Sequence, residues 1–190
     1  MTTWATLEAV RADALSCTRC ALAQTRTQVV FGVGDPHAAL MFVGEGPGAE
    51  EDRQGLPFVG RAGQLLTRLI EGIGLAREQV YIANVVKCRP PGNRDPLPVE
   101  IEACQPYLDA QIGFVAPQVV VTLGNFATKL LLRTKEGITK LRGQEFPFGD
   151  AVLVPTLHPA AVLRGGGVAL AQTRADFVVV KRALARSAGG

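Results

Sequence analysis

Short apolar runs that end in glycine or a polar residue alternate along this chain with stretches whose apolar residues recur every three or four positions. The run 39–44 (Ala-Leu-Met-Phe-Val-Gly) has no polar interruption, as a parallel strand buried on both faces requires. Residues 60–74 follow with Leu65, Leu66, Leu69, Ile70 and Ile73 at helical spacing, which predicts an amphipathic helix. The alternation then repeats. Strands are predicted at 80–86, 119–123 and 151–157, and helices at 99–115, 125–133 and 173–185. Pro106 is expected to disturb the helix that contains it. Another helix is predicted at 3–15, with Leu7, Val10, Ala14 and Leu15 near one face and Thr3 as a candidate N-cap. A proline-rich loop occupies 89–98, and the tail 187–190 is expected to fray. This order of elements predicts an α/β fold whose parallel sheet is covered on both faces. No internal repeat or low-complexity linker divides the 190 residues, so one domain over 1–190 is expected.

Composition narrows the class. Hydrophobic residues make up 47% and charged residues 19%, a globular balance. The formal net charge of +3 suits an anionic partner without demanding one. Residues 1–17 carry Glu8, Arg11 and Asp13 and no continuous apolar stretch, so no signal peptide is expected. No apolar run approaches the roughly 20 residues of a membrane span. A cytoplasmic protein is therefore expected, and four cysteines in a reducing compartment point to metal binding or catalysis.

In open α/β folds ligands sit beyond the carboxyl ends of the strands, which selects the segments from Gly44, Asn84, Gly124 and His158 onward. Gly44-Glu45-Gly46-Pro47-Gly48 is a glycine-rich turn followed by Glu50, Glu51 and Asp52. It lacks the GK[ST] of a P-loop, and its carboxylates would repel a phosphate. The plainer reading is a βα turn with an acidic helix start. Phe58, in Gly-Leu-Pro-Phe-Val-Gly at 55–60, is either a base-stacking tip or a core plug. Asn84 sits inside an otherwise apolar strand, where its amide either reads the edge of a pyrimidine or pins a loop. His158, in Thr-Leu-His-Pro at 156–159, is a catalytic or a structural imidazole. Cys17-x2-Cys20, Cys88 and Cys104 account for every cysteine and suit Zn²⁺ or an iron–sulfur cluster; their spacing alone leaves the metal open.

Taken in order, these segments resemble the family-4 uracil-DNA glycosylases. The match rests on Cys17-x2-Cys20, GEGPG at 44–48, GLPFVGRAGQLL at 55–66, NVVKCRPPGNR at 84–94, Cys104 and HPAAVLR at 158–164. The resemblance implies a three-layer αβα sandwich around a four-stranded parallel sheet. It implies a [4Fe–4S] cluster on Cys17, Cys20, Cys88 and Cys104. By the same resemblance, Phe58 stacks on a flipped uracil, Asn84 reads its O4 and N3 edge, and His158 supports negative charge at O2. Glu45, Gly46, Glu51 and Asn93 match other active-site positions. Relatives without a cluster carry a water-positioning aspartate where this chain has Gly46, so Glu45, Glu51 or a backbone carbonyl must take that role. Position 49 is Ala where many members carry an acidic residue. The long basic insert of the related DNA-crosslinking proteins is missing, which argues for turnover.

The implied activity is monofunctional: uracil leaves the stack, its N1–C1′ bond is hydrolysed, and an abasic site remains. Glu45 is the preferred carboxylate beside C1′. Phosphate contacts are expected from Arg61, Arg89, Arg94, Lys140, Arg142 and Arg164, and Leu163 or Arg164 would fill the gap left by the base. The expected substrate is uracil-containing DNA, single- or double-stranded, met by a monomer at the nucleoid. An iron–sulfur electron carrier, which needs none of Asn84, Phe58 and His158, and a free-nucleotide binder are the competing readings.

Overall fold

The computed structural model describes residues 4–187; Thr3 and positions 188–190 of the tail lie outside the described residues. The elements run α1 Leu7–Leu15, β1 Val33–Gly34, β2 Leu40–Gly44, α2 Ala49–Gln54, α3 Arg61–Gly72, β3 Tyr81–Asn84, α4 Pro98–Val115, β4 Val119–Leu123, α5 Asn125–Leu132, α6 Ile138–Leu141, β5 Phe146–Phe148, β6 Ala151–Thr156 and α7 Pro159–Ser187. One six-stranded sheet has the order β1-β3-β2-β4-β6-β5. Its inner four strands, β3, β2, β4 and β6, are mutually parallel. The expected four-stranded core is therefore there, but the sheet is wider: β1 and β5 pair antiparallel on the two edges. Those edges span two and three residues, too few for any periodicity to show.

Every residue of β2 and β4 is buried, which explains the unbroken apolar sequence of β2 and leaves β4 a single polar residue, Thr122, whose hydroxyl pairs with that of Thr128 at 2.8 Å. One sheet face, with Leu40, Phe42, Ile82, Val121 and Val154, packs on Leu66 and Ile70 of α3 and Phe177 and Val180 of α7. The other, with Met41, Val43, Ala83, Val120 and Leu153, packs on Leu108 and Val115 of α4 and Ala127 of α5. The result is the expected αβα sandwich. α1 lies outside it, where Val10 and Ala14 join Phe31 and Tyr107 of α4 in a satellite core.

Several boundaries differ from the sequence reading, each for a local reason. α1 begins at Leu7 because the Thr6 hydroxyl accepts the Ala9 N–H at 3.1 Å and so caps it. α4 continues through Pro106 without a break. The closing helix starts at Pro159, fourteen residues earlier than its apolar spacing indicated, because proline fits a first helical turn. The glycines at 165–167 hide the period, and Gly166 (φ 65°, ψ −150°) breaks the helix there.

The carboxylate of Asp176 holds the second half of α7 to the sheet. It accepts the Thr156 hydroxyl at 2.6 Å and Arg142 Nη2 at 2.6 Å, and it is almost wholly buried. Asp176→Ala should lower the unfolding free energy by about 2–4 kcal/mol, because it strands a guanidinium that is mostly out of water. Urea denaturation with an unchanged slope is the check.

Candidate active site and cysteine cavity

The carboxyl ends of β2, β3 and β6 open into one pocket lined by Glu45, Gly46, Glu51, Phe58, Asn84, Asn93, His158 and Arg164, among others. All seven residues assigned to chemistry or substrate by the sequence reading thus meet in one place. Gly124 supports them from below: its N–H bonds the Thr156 carbonyl at 2.9 Å, tying the end of β4 to the segment that carries His158.

Asn84 forms the floor. It is 1% exposed, and its Oδ1 has no hydrogen-bond partner among the described residues. An unpaired buried acceptor costs about 1–3 kcal/mol, so the site is incomplete without a donor. Gly44 stands directly against it: a Cβ there would overlap Asn84 Oδ1 and come within 2.6 Å of Phe58 Cζ. Only glycine lets the amide and the ring come so near the β2 backbone.

Phe58 is both stacking wall and core residue. It is 7% exposed, belongs to the α3-side core, and lies with its ring centroid 5.6 Å from that of His158. Its backbone has φ 53°, an uncommon conformation for a non-glycine residue. Three contacts hold it. Glu51 Oε1 accepts the Val59 N–H at 3.0 Å, Arg77 Nη2 donates to the Pro57 carbonyl at 2.7 Å, and Gly63 lets α3 close over the Phe58 carbonyl, where any Cβ would clash. Glu51 also accepts the Gly60 N–H at 3.4 Å and, through Oε2, the Gly48 N–H at 3.2 Å. Its lone pairs are largely committed to backbone.

The Glu45 carboxylate accepts no hydrogen bond among the described residues. Burial, and then the nearby charge of Asp95, hold its carboxyl above the usual carboxylate range. His158 is pushed the other way, down to about 4, by burial and then Arg164, with Glu51 opposing. Its Nδ1 accepts the Ala160 N–H at 3.1 Å. The imidazole is therefore neutral near pH 7 with its proton on Nε2, free to donate into the pocket. Asn93 is exposed on the rim, where its Oδ1 accepts Arg89 Nε at 2.7 Å.

The proposed phosphate contacts separate into two groups. Lys140 pairs with Glu136 at 2.9 Å, Arg142 is committed to Asp176, and Arg94 forms a two-pronged pair with buried Glu100 at 2.7 and 2.9 Å. Arg61 and Arg164 make no ion pair among the described residues. Leu163 is 40% exposed in the first turns of α7, next to Arg164 of the pocket lining.

A second, narrower cavity lies behind Asn84, bounded by Cys17, Cys20, Cys88 and Cys104 with Arg26, Lys87 and Tyr107. No three His, Cys, Asp or Glu side chains among the described residues are gathered as they would be round a single ion. The sulfurs nevertheless face donors. Arg26 Nη1 lies 3.4 Å from Cys88 Sγ, and the Lys87 N–H donates to Cys104 Sγ at 3.2 Å. The buried Tyr107 hydroxyl, beside Cys17, has no partner among the described residues. Arg26, Arg77 and Lys87 escaped the sequence reading. Lys87 alone left a trace there, as a charge inside the apolar run Asn-Val-Val-Lys-Cys.

Comparison with known proteins agrees with this geometry. A family model of the uracil DNA glycosylase superfamily matches residues 31–184. A type-4 uracil-DNA glycosylase of Sulfurisphaera tokodaii is 50% identical over 167 residues, covering 83% of this chain and 76% of the relative. One from Thermotoga maritima is 49% identical over 160 residues, 83% of each chain. One from Saccharolobus solfataricus is 45% identical over 187 residues, 94% of this chain and 86% of the relative. On this similarity and on the αβα sandwich that carries the pocket, the chain belongs to the uracil DNA glycosylase superfamily, alongside its type-4 members.

Proposed function

We propose that this protein removes uracil from DNA by hydrolysing its N-glycosidic bond, as a monofunctional glycosylase that leaves an abasic site. The observation that carries the reading is the buried, unpartnered Asn84 amide on the floor of a pocket walled by Phe58 and a neutral His158. That trio offers a face to stack on, an acceptor and donor for a pyrimidine edge, and a neutral N–H for an oxygen that gains charge.

The base is too deep in the helix stack to reach, so it is flipped into the pocket. Leu163 fills the space it leaves, and Arg164 and Arg61 hold the flanking phosphates. Phe58 stacks on the uracil. The Asn84 Oδ1 accepts the uracil N3–H, and its NH₂ donates to O4. Cytosine presents the opposite pattern and leaves buried groups unpaired. As the N1–C1′ bond breaks, the sugar gains positive charge and uracil negative charge. Glu45 stabilises the sugar cation and orients water at C1′, and His158 Nε2–H donates to O2 of the leaving anion. Glu51 is assigned as a positioning residue, because its oxygens hold the Phe58 loop. Asn93 lines the rim beside the leaving base.

The cysteine cavity fits the [4Fe–4S] cluster that the resemblance implies. Its four cysteines line one narrow cavity, and it presents an N–H to two sulfurs and an unsatisfied hydroxyl beside a third. Cys17, Cys20, Cys88 and Cys104 would hold the cluster, which would cross-link the N-terminal segment, the β3 exit and α4. No helix among the described residues is long and apolar enough to cross a membrane. The proposed setting is the cytoplasm, with the chain working as a monomer on DNA at the nucleoid.

The test is incubation with a uracil-containing oligonucleotide, then alkali and a denaturing gel, beside a His158→Ala, Asn84→Ala double variant. Breaks that need alkali and disappear in the variant are expected. Intact DNA with cluster-loaded wild-type protein would overturn the reading and promote an electron carrier. Activity also depends on ionised Glu45, so kcat/KM should fall with acid at a pH above the usual carboxylate range. Glu45→Gln should lower the rate by roughly a hundredfold or more and abolish that limb; His158, neutral down to about pH 4, should not contribute to it. Iron and sulfide assays on purified protein should find about four of each per chain, with Cys88→Ser losing them.

A further inference from the structure

One buried charge has no part in the scheme above. Lys87 is 1% exposed and is one of the residues that line the cysteine cavity. No carboxylate among the described residues pairs with it, and Glu100, which shares that cavity wall, is taken by Arg94. A buried ammonium needs a counter-charge. Cys104 and Cys88, on the same cavity wall, have sulfurs that supply one once ionised. On the other side, Lys87 Nζ donates to the Asn84 carbonyl at 2.6 Å.

That hydrogen bond has a particular target. The next backbone N–H, of Val85, donates to the Gly44 carbonyl at 2.9 Å. The peptide between Asn84 and Val85 is thus gripped at both ends, by β2 at its nitrogen and by the ammonium at its oxygen. With its oxygen and its nitrogen both held, this peptide cannot shift relative to β2, and the Asn84 backbone from which the side chain rises to the pocket floor is fixed with it. From this geometry we infer that Lys87 is a positioning residue of the uracil site: held by the sulfurs of the cysteine cavity, it fixes the Asn84 peptide and, with it, the amide that reads uracil. The inference rests on the role proposed for Asn84. Filling the cysteine cavity then acts on the uracil pocket through one charged link, in addition to stapling chain segments together.

The experiment uses full-length, cluster-loaded Lys87→Met and Lys87→Gln, each alone and combined with Asn84→Ala. Uracil release, affinity for a uracil-free oligonucleotide and the cluster's midpoint potential by film voltammetry are measured. Loss of the charge should lower kcat/KM for uracil release by roughly tenfold or more, about 1.4 kcal/mol, and leave affinity for uracil-free DNA unchanged. It should shift the midpoint to more negative potential. In the Asn84→Ala background the same substitution should change release by less than about twofold, because the effect passes through that amide. A purely structural lysine predicts otherwise, since an apolar side chain of similar volume in its place is often neutral or stabilising. Equal losses in both backgrounds, or none in either, would overturn the assignment. So would failure of both variants to retain the cluster, which would make Lys87 a cluster-holding residue. A wild-type protein that releases no uracil would sink the proposed function and this inference with it; an active wild type without coupling would sink the inference alone.

Discussion

Five consecutive residues, 84–88, are buried with a lysine among them, and the polar groups of that segment must be satisfied from within the protein. The way this is done ties the two halves of the molecule together. The Val85 and Val86 N–H groups bond the Gly44 and Glu45 carbonyls at 2.9 and 3.1 Å, which carries the β2–β3 pairing past the end of the strand. The Lys87 carbonyl accepts the Val30 N–H at 2.8 Å, and its own N–H goes to the Cys104 sulfur. The side chains on this ladder then diverge. Asn84 faces the pocket, Val85 and Val86 join the α4-side core, and Cys88 reaches the cysteine cavity. Glycine at 44 and at 63 follows from the same crowding, since each stands where a methyl group would strike the pocket wall.

The pocket's electrostatics follow from this enclosure. Desolvation raises one carboxyl, on Glu45, and lowers one imidazole, on His158. Both shifts come mainly from burial. The neutral imidazole also contributes to stability in a pH-dependent way. It binds no proton in the folded protein at pH values where an unfolded histidine would. Stability from this group is therefore complete above pH 6.5 and declines toward pH 4.

Much of this was legible in the sequence, for identifiable reasons. Mostly apolar runs marked the four inner strands, because a parallel strand is covered on both faces. The βα order placed the site at their carboxyl ends, and residues far apart in sequence, from Glu45 to Arg164, duly meet there. The illegible parts were of two kinds. The edge strands were too short for a period, and Gly165 to Gly167 masked the first half of α7. The other kind was partnership. Nothing in the order of residues says that Glu51 spends its oxygens on the Phe58 loop, that Arg142 belongs to Asp176, or that Arg77 reaches the Pro57 carbonyl. Residue type identified the charged groups; only the fold decides which of them remain available to DNA.

The short antiparallel edges have a consequence for how the molecule behaves in a crowded solution. An open parallel sheet exposes a row of unpaired N–H and C=O groups on each flank, a template for another chain to join. Here β1 offers two residues, and β5 offers three with Pro147 at its centre, which has no N–H to give. Each edge of the sandwich thereby offers a joining strand only a few free backbone groups.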